Sequence, residues 1–249
     1  MGGLFEESLF IGTSGWSYKH WKDKFYPQGV PQSKWLEYYT EHFNTVELNA
    51  SFYRLPKSET VVNWYKRTPA DFKFAVKGSR VITHLKKLKD CEEPLELFYQ
   101  VFEPLKEKLA LVLYQLPPSL RYDPEVLENF LEVVPGSVAH VFEFRHSSWF
   151  NEETYAILDR HGAYFCVSDY PAREAPRVCV GDLAYFRLHG FKKRYGGEYP
   201  EEHLMEVGNT MCEWVKAGKK VFAYFNNDAE GFAVKNAKEL QGICRKCLE

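Results

Sequence analysis

The segment VAHVFEFRHSSW, residues 138–149, decides how the rest of the chain is read. Over VFEFR the side chains change character at every step, and successive side chains on an extended strand point to opposite faces. Val141, Glu143 and Arg145 therefore share one face, while Phe142 and Phe144 share the other. In a barrel the rings of such a strand would pack under the helices and its polar face would point inward. Its charged face must meet partners, water or a ligand, because an isolated buried ion costs several kcal/mol, roughly, even after relaxation.

Working outward, the same split recurs. Glu47 and Asn49 stand against Val46 and Leu48, Lys73 and Lys77 against Phe72, Phe74 and Val76, and Arg187 and His189 against Phe186 and Leu188. Eight β-rich runs carry the pattern, at 9–14, 45–49, 71–77, 109–116, 138–144, 163–169, 183–189 and 221–226. Most are separated by helical signals. Trp35, Leu36, Tyr39 and Phe43 fall on one helical face. Asp123 followed by Pro124 reads as a helix start, and Pro135-Gly136 as its stop. Asn151 reads as a cap and Gly162 as a terminator. The interval 170–182 is too proline-rich for a normal helix. Eight strands alternating with helices in 249 residues is the arithmetic of a single (β/α)8 TIM barrel spanning 1–249, irregular between its sixth and seventh strands. The rival, an open doubly wound sheet, would carry a Gly-rich nucleotide fingerprint that this sequence lacks.

Composition narrows the function classes. With 45% apolar and 27% charged residues the chain matches a soluble globular protein, and a formal charge of −2 supplies no global attraction for nucleic acid or an anionic membrane. The start MGGLFEESLF lacks a basic, then apolar, leader, and no long apolar run follows, so the expectation is a cytoplasmic protein with no membrane partner. Six cysteines, four of them scattered singly, are expected to be reduced. Cys244 and Cys247 form half a zinc motif and read as two thiols on a terminal helix.

The polar residues gather at strand ends. Asn49, Lys77, Gln115, Arg145, Asp169, His189 and Asn226 all lie at or just past the last residue of their strands, where barrel active sites are built. Trp16, Tyr18, Trp21, Tyr53 and Trp149 also follow strand ends and could line a pocket. The competing reading is a buried ion-pair lattice, such as Glu47 with Lys77 or Glu143 with Arg187, that holds the strands in register.

Several long motifs carry a resemblance: GTSGWSYKHWKDKFYP (12–27), VELNASFYRLP (46–56), FKFAVKGSRVITH (72–84), LYQLPPS (113–119), EFRHSSW (143–149), YFRLHG (185–190) and YFNND (224–228). In this order, and over nearly the whole chain, they resemble the family catalogued as domain of unknown function 72. The resemblance implies a TIM barrel of unestablished activity. An architectural kinship with xylose-isomerase and endonuclease IV barrels makes a sugar or nucleic-acid substrate an expectation by analogy alone. One departure stands out: in LKEKLALV, ahead of YQLPP, a glycine commonly precedes the strand.

The chemistry follows from the cations. Arg54, Lys77, Arg80, Arg145 and Arg187 suit a phosphate or carboxylate, which arginine's planar fork grips with two bonds. The expectation is a hydrolase or lyase acting on a small anionic, phosphorylated or nucleotide-like substrate. Glu143, His189 and Lys77 form its catalytic set. Glu47, Asn49, Tyr53, Arg145, His146, Trp149, Asp169, Arg187, Asn226 and Trp16 bind substrate. The acids and histidines, His84 among them, could instead ligate a divalent metal, but no HExxH or close His/Asp repeat favours one, and the cofactor is left open. Ser14 lies outside a nucleophile elbow and Cys166 lacks a base partner in its strand. The alternative is a non-catalytic nucleic-acid binder. It would use the mouth and the loop GFKKRYGGEYP (190–200), where Lys192, Lys193 and Arg194 interleave with Tyr195 and Tyr199.

Overall fold

The computed structural model describes residues 7–170 and 174–249. Its eight strands are β1 (Leu9–Thr13), β2 (Thr45–Leu48), β3 (Lys73–Lys77), β4 (Leu109–Gln115), β5 (Ala139–Glu143), β6 (Ala163–Ser168), β7 (Leu183–Leu188) and β8 (Lys220–Phe225). All pair in parallel, in the order β1-β8-β7-β6-β5-β4-β3-β2. The two end strands meet through a single bridge between Ser14 and Glu47, so the sheet is a nearly closed TIM barrel, as expected.

Side chains fasten that seam. The Thr13 amide donates to the Tyr39 hydroxyl at 2.9 Å, and this hydroxyl donates to the Thr45 carbonyl at 3.1 Å, so one phenol spans β1 and β2. The strands approach so closely that a Cβ at position 12 would overlap the Thr45 carbonyl oxygen, which is why Gly12 stands there.

The helices cover the outer face: α1 (Trp35–Thr40), α2 (Ser58–Lys66), α3 (Glu92–Phe102), α4 (Pro124–Val133), α5 (Glu152–Arg160), α6 (Glu201–Lys216) and α7 (Phe232–Leu248). Their starts follow the sequence signals. Asp123 accepts from the Val126 amide at 3.2 Å and Asn151 from the Thr154 amide at 2.9 Å, satisfying donors that a helix leaves open. No regular helix links β6 to β7 among the described residues; part of the proline-rich stretch, 171–173, lies outside them. At the turn into β4, Lys106 adopts φ 48° and ψ −127°, a region that suits glycine. This turn lies in LKEKLALV, where the family resemblance led to the expectation of a glycine.

The alternation sorts the two faces as read. Phe142 and Phe144 pack outward against Phe130 and Trp149, while Val141 joins Phe10, Leu111, Leu113, Cys166, Tyr185, Phe222 and Tyr224 inside the lumen. The lumen is graded along its axis. Phe10 and Phe222 stack at 4.5 Å near the amino ends of the strands, and the tyrosines Tyr185 and Tyr224 lie above them. Charge begins at the level of Glu47, Glu143 and Arg187. Both terminal thiols lie on α7, where Cys244 is buried and Cys247 half-buried, and all six cysteines are free. No described helix is long and apolar enough to cross a membrane.

Candidate active site

Near the carboxyl ends of the strands the inward face carries a charge lattice. Arg187 on β7 donates through Nε and Nη2 to both oxygens of Glu47 on β2, at 2.9 and 2.8 Å, and through Nη1 to Glu143 on β5 at 2.7 Å. Glu47 is completed by Tyr185 at 2.6 Å and Ser14 at 2.5 Å. Glu143 is completed by Ser168 at 3.0 Å and Arg145 at 2.5 Å. Glu47 and Glu143 are fully buried, and the lattice answers their desolvation. Burial alone would raise both carboxyls, but the facing guanidiniums hold Glu47 below the usual range and Glu143 well below it. Of the two pairings considered from sequence, Glu143 with Arg187 forms. Glu47 with Lys77 does not: Arg187 takes the Glu47 carboxylate, and Lys77 turns to Gln115.

His189 sits against this lattice, also fully buried. Its Nε2 lies 3.2 Å from Glu143 and 3.0 Å from Arg145, and its Nδ1 faces Asn226 at 3.3 Å. Burial lowers it to about 4, so it is neutral at pH 7. With a proton on Nε2 the ring donates to Glu143 and accepts at Nδ1 from Asn226, whereas with Nε2 bare it accepts from Arg145, so the two Nε2 contacts belong to different tautomers. Its backbone amide donates to Asp169 at 2.7 Å. The other Asp169 oxygen accepts from Tyr199, and burial raises this acid to about 6.

Above the lattice opens a cavity of about 420 Å³. Its cations are Lys77, Arg145 and Arg194, its rings Phe52, Tyr53, Tyr170, Tyr195 and His84, and Gln115 and Pro118 complete the lining. No carboxylate lines it among the described residues. The Arg145 guanidinium lies 3.8 Å over the Tyr170 ring, and Arg194 lies 5.1 Å over the same ring and 4.7 Å over Tyr195. Lys77 donates to the Gln115 side-chain oxygen at 2.8 Å and stands 4.1 Å over Phe52. Burial, with Arg187 nearby, lowers Lys77 to about 7. Burial first, and then the cations Lys77, Arg80 and Arg145, lower His84 to about 4.

The residues singled out from sequence thus divide. Lys77, Arg145 and Tyr53 line the cavity. Glu47, Glu143, Arg187 and His189 lie beneath it, and Asn49, Asp169 and Asn226 brace that layer, Asn49 accepting from Arg187 at 3.5 Å. Trp149 is core: it stacks on Phe144 at 4.7 Å and donates to the Leu120 carbonyl at 2.9 Å. His146 caps a short helical turn by accepting from the Ser148 amide at 3.1 Å. Trp16 packs edge-on against Trp64 at 5.6 Å. None of these last three lines the cavity. Sequence reading missed Tyr170 and Phe52. Nothing in the proline-rich run around Tyr170 marks a ring that two arginines will share.

The loop 190–200 supplies Arg194 and Tyr195 to the cavity and leaves Lys192 and Lys193 exposed. It starts at Gly190, φ 124°, where a Cβ would overlap the carbonyls of Lys193 and Gly196, and the Tyr195 amide returns to the His189 carbonyl at 2.6 Å. Among the described residues no three of His, Cys, Asp and Glu gather in a metal-binding arrangement.

Comparison with known proteins fits this architecture. The profile of the family described as "Protein of unknown function DUF72" matches residues 10–247. The protein is 28% identical to the UPF0759 protein YunF of Bacillus subtilis, over 93% of both chains. A DUF72 family protein of Thermotoga maritima superposes with a TM-score of 0.87 and 34% identity, covering 96% of this chain and 100% of that one. One from Enterococcus faecalis superposes at 0.80 with 20% identity and 95% coverage of each chain.

Proposed function

The chain belongs to the DUF72 family, and within that fold we propose an enzyme, a hydrolase or lyase, that binds a small anionic, phosphorylated or nucleotide-like substrate at the barrel mouth. One observation carries this reading: three cations and five rings line the cavity with no carboxylate among its described walls. Arginine suits the anion because its fork gives two parallel, charge-assisted bonds, and the tyrosines suit a flat or apolar remainder. Arg194 and Tyr195 give the basic aromatic loop to this same cavity, which favours a small ligand over a nucleic-acid strand.

In this reading Arg145 grips the anion. Glu143 and His189 act through Arg145, since both are sealed beneath it and neither reaches the cavity. Lys77, which lines the cavity beside the neutral Gln115 side chain and which burial lowers to about 7, is the amine available to the chemistry. Titration calorimetry at low salt with inorganic phosphate, pyrophosphate and nucleoside monophosphates tests the reading. Saturable binding of at least one anion is expected, weakened about 10- to 100-fold by Arg145→Gln, the loss of one charge-assisted pair. Absence of binding across the panel, or equal binding by the variant, would overturn it.

A further inference from the structure

Two lysines are buried among the described residues, Lys77 and Lys108, and they are built differently. Lys108, 3% exposed, donates to the carbonyls of Tyr65 and Thr68 and to the Thr68 hydroxyl, at 2.7, 2.8 and 3.1 Å. An ammonium has three donors, and here all three are used. Lys77, 9% exposed, has one acceptor among the described residues, the neutral Gln115 side chain at 2.8 Å, and no carboxylate within ion-pair distance. Its remaining neighbours include a phenylalanine ring at 4.1 Å. The lattice that could have neutralised it is saturated by Arg187, Arg145, Tyr185 and the serines. The fold therefore holds Lys77 at the end of β3, inside the cavity, in surroundings that suit a neutral amine better than an ammonium.

We propose that Lys77 is a covalent nucleophile which forms an imine with a carbonyl compound that also bears a phosphate or carboxylate, the anionic group being held by Arg145 and Arg194. This rests on the anion-binding reading above and deepens it by naming the substrate class. The lone pair of Nζ attacks the carbonyl carbon, the C–N bond forms, and the carbonyl π pair moves to oxygen, which takes a proton. Nitrogen gives up one proton as oxygen takes one, and the carbinolamine then loses its hydroxyl with the remaining N–H proton as water, leaving C=N. No oxidant or reductant enters. Lowering of the Lys77 ammonium to about 7 leaves a substantial neutral fraction at physiological pH, whereas a solvent-exposed lysine stays charged. The imine, once protonated, withdraws electrons from the neighbouring carbon, which favours the lyase arm of the reading.

The test is reductive trapping. The full-length protein is incubated at pH 7 with pyruvate, dihydroxyacetone phosphate or pyridoxal 5′-phosphate and sodium cyanoborohydride, then read by intact and peptide mass spectrometry. Stoichiometric addition of the probe less one oxygen atom, on the peptide holding Lys77, is expected with at least one probe. It should be suppressed by excess inorganic phosphate and lost in Lys77→Arg and Lys77→Met, both checked for folding by circular dichroism. Labelling spread over surface lysines, or unchanged in those variants, would overturn the proposal. Probes that bind saturably by calorimetry yet leave Lys77 unmodified would overturn the imine while the anion site stands. Failure of every probe and every phosphate to bind would remove both.

Discussion

Arg187 grips Glu47 with two hydrogen bonds of 2.9 and 2.8 Å across the lumen, although their strands, β7 and β2, are not neighbours in the sheet. The third donor nitrogen reaches Glu143, so one guanidinium ties three strands at one level. The arrangement demands arginine, because a lysine is a point charge without a fork and cannot engage both carboxylates in this geometry.

Arg187→Met is therefore expected to leave two buried carboxylates without their shared cation and to destabilise the fold by about 3–5 kcal/mol. Urea unfolding followed by circular dichroism measures this. A loss under about 1 kcal/mol would show that the carboxylates escape to water or protonate without penalty.

Lys77 gives a pH-dependent prediction. Burial lowers its ammonium from the ordinary 10.5 to about 7, so between those values the unfolded chain holds more protons than the folded one. The stabilisation tied to the neutral amine is complete above 10.5 and is lost as pH falls through about 7. Lys77→Met removes the titration. The variant should gain stability relative to the parent at pH 6, and the gain should shrink towards pH 10. Parallel stability-versus-pH curves for the two proteins would contradict the geometry.

The seam between β1 and β2 is held by the Ser14–Glu47 bridge and by the Tyr39 phenol. Tyr39→Phe deprives the buried Thr13 amide of its acceptor and is expected to cost about 1–3 kcal/mol. Hydrogen exchange at the Thr13 amide should rise ahead of exchange in β5. Uniform acceleration across all strands would mean that the seam is not the local weak point.

Lys106 makes the opposite case. Its φ of 48° with ψ −127° strains any residue with a Cβ, and its side chain is exposed. Lys106→Gly relieves about 1–3 kcal/mol of strain against the greater freedom of glycine in the unfolded chain, for a net gain of about 1 kcal/mol. A lower melting temperature in the variant would show that the turn relaxes around lysine.

Much of this was legible in the sequence because period-two alternation is local. All eight strands fall within a residue or two of their expected limits, and the inward placement of Glu47, Glu143, Arg187 and Lys77 follows from neighbours alone. What alternation cannot supply is the partner across the lumen. Glu47 could be assigned a face but not a cation, since that choice depends on which strands stand opposite when the barrel closes. Aromatic residues after strands were equally ambiguous. Tyr53 reaches the cavity while Trp149 stacks into the core, and that difference lies in the local helical turns. Tyr170 and Arg194 come together only because two loops fold over the same rim.

The stacked pair Phe10 and Phe222 has a consequence for traffic. With aromatic rings stacked in the lumen at the amino ends of the strands, the floor of the barrel is closed to a guest, and the cavity lies at the opposite end, where Tyr53 and Tyr195 line it. If the proposed imine forms, the fragment joined to Lys77 is expected to leave last, after hydrolysis of its C=N bond.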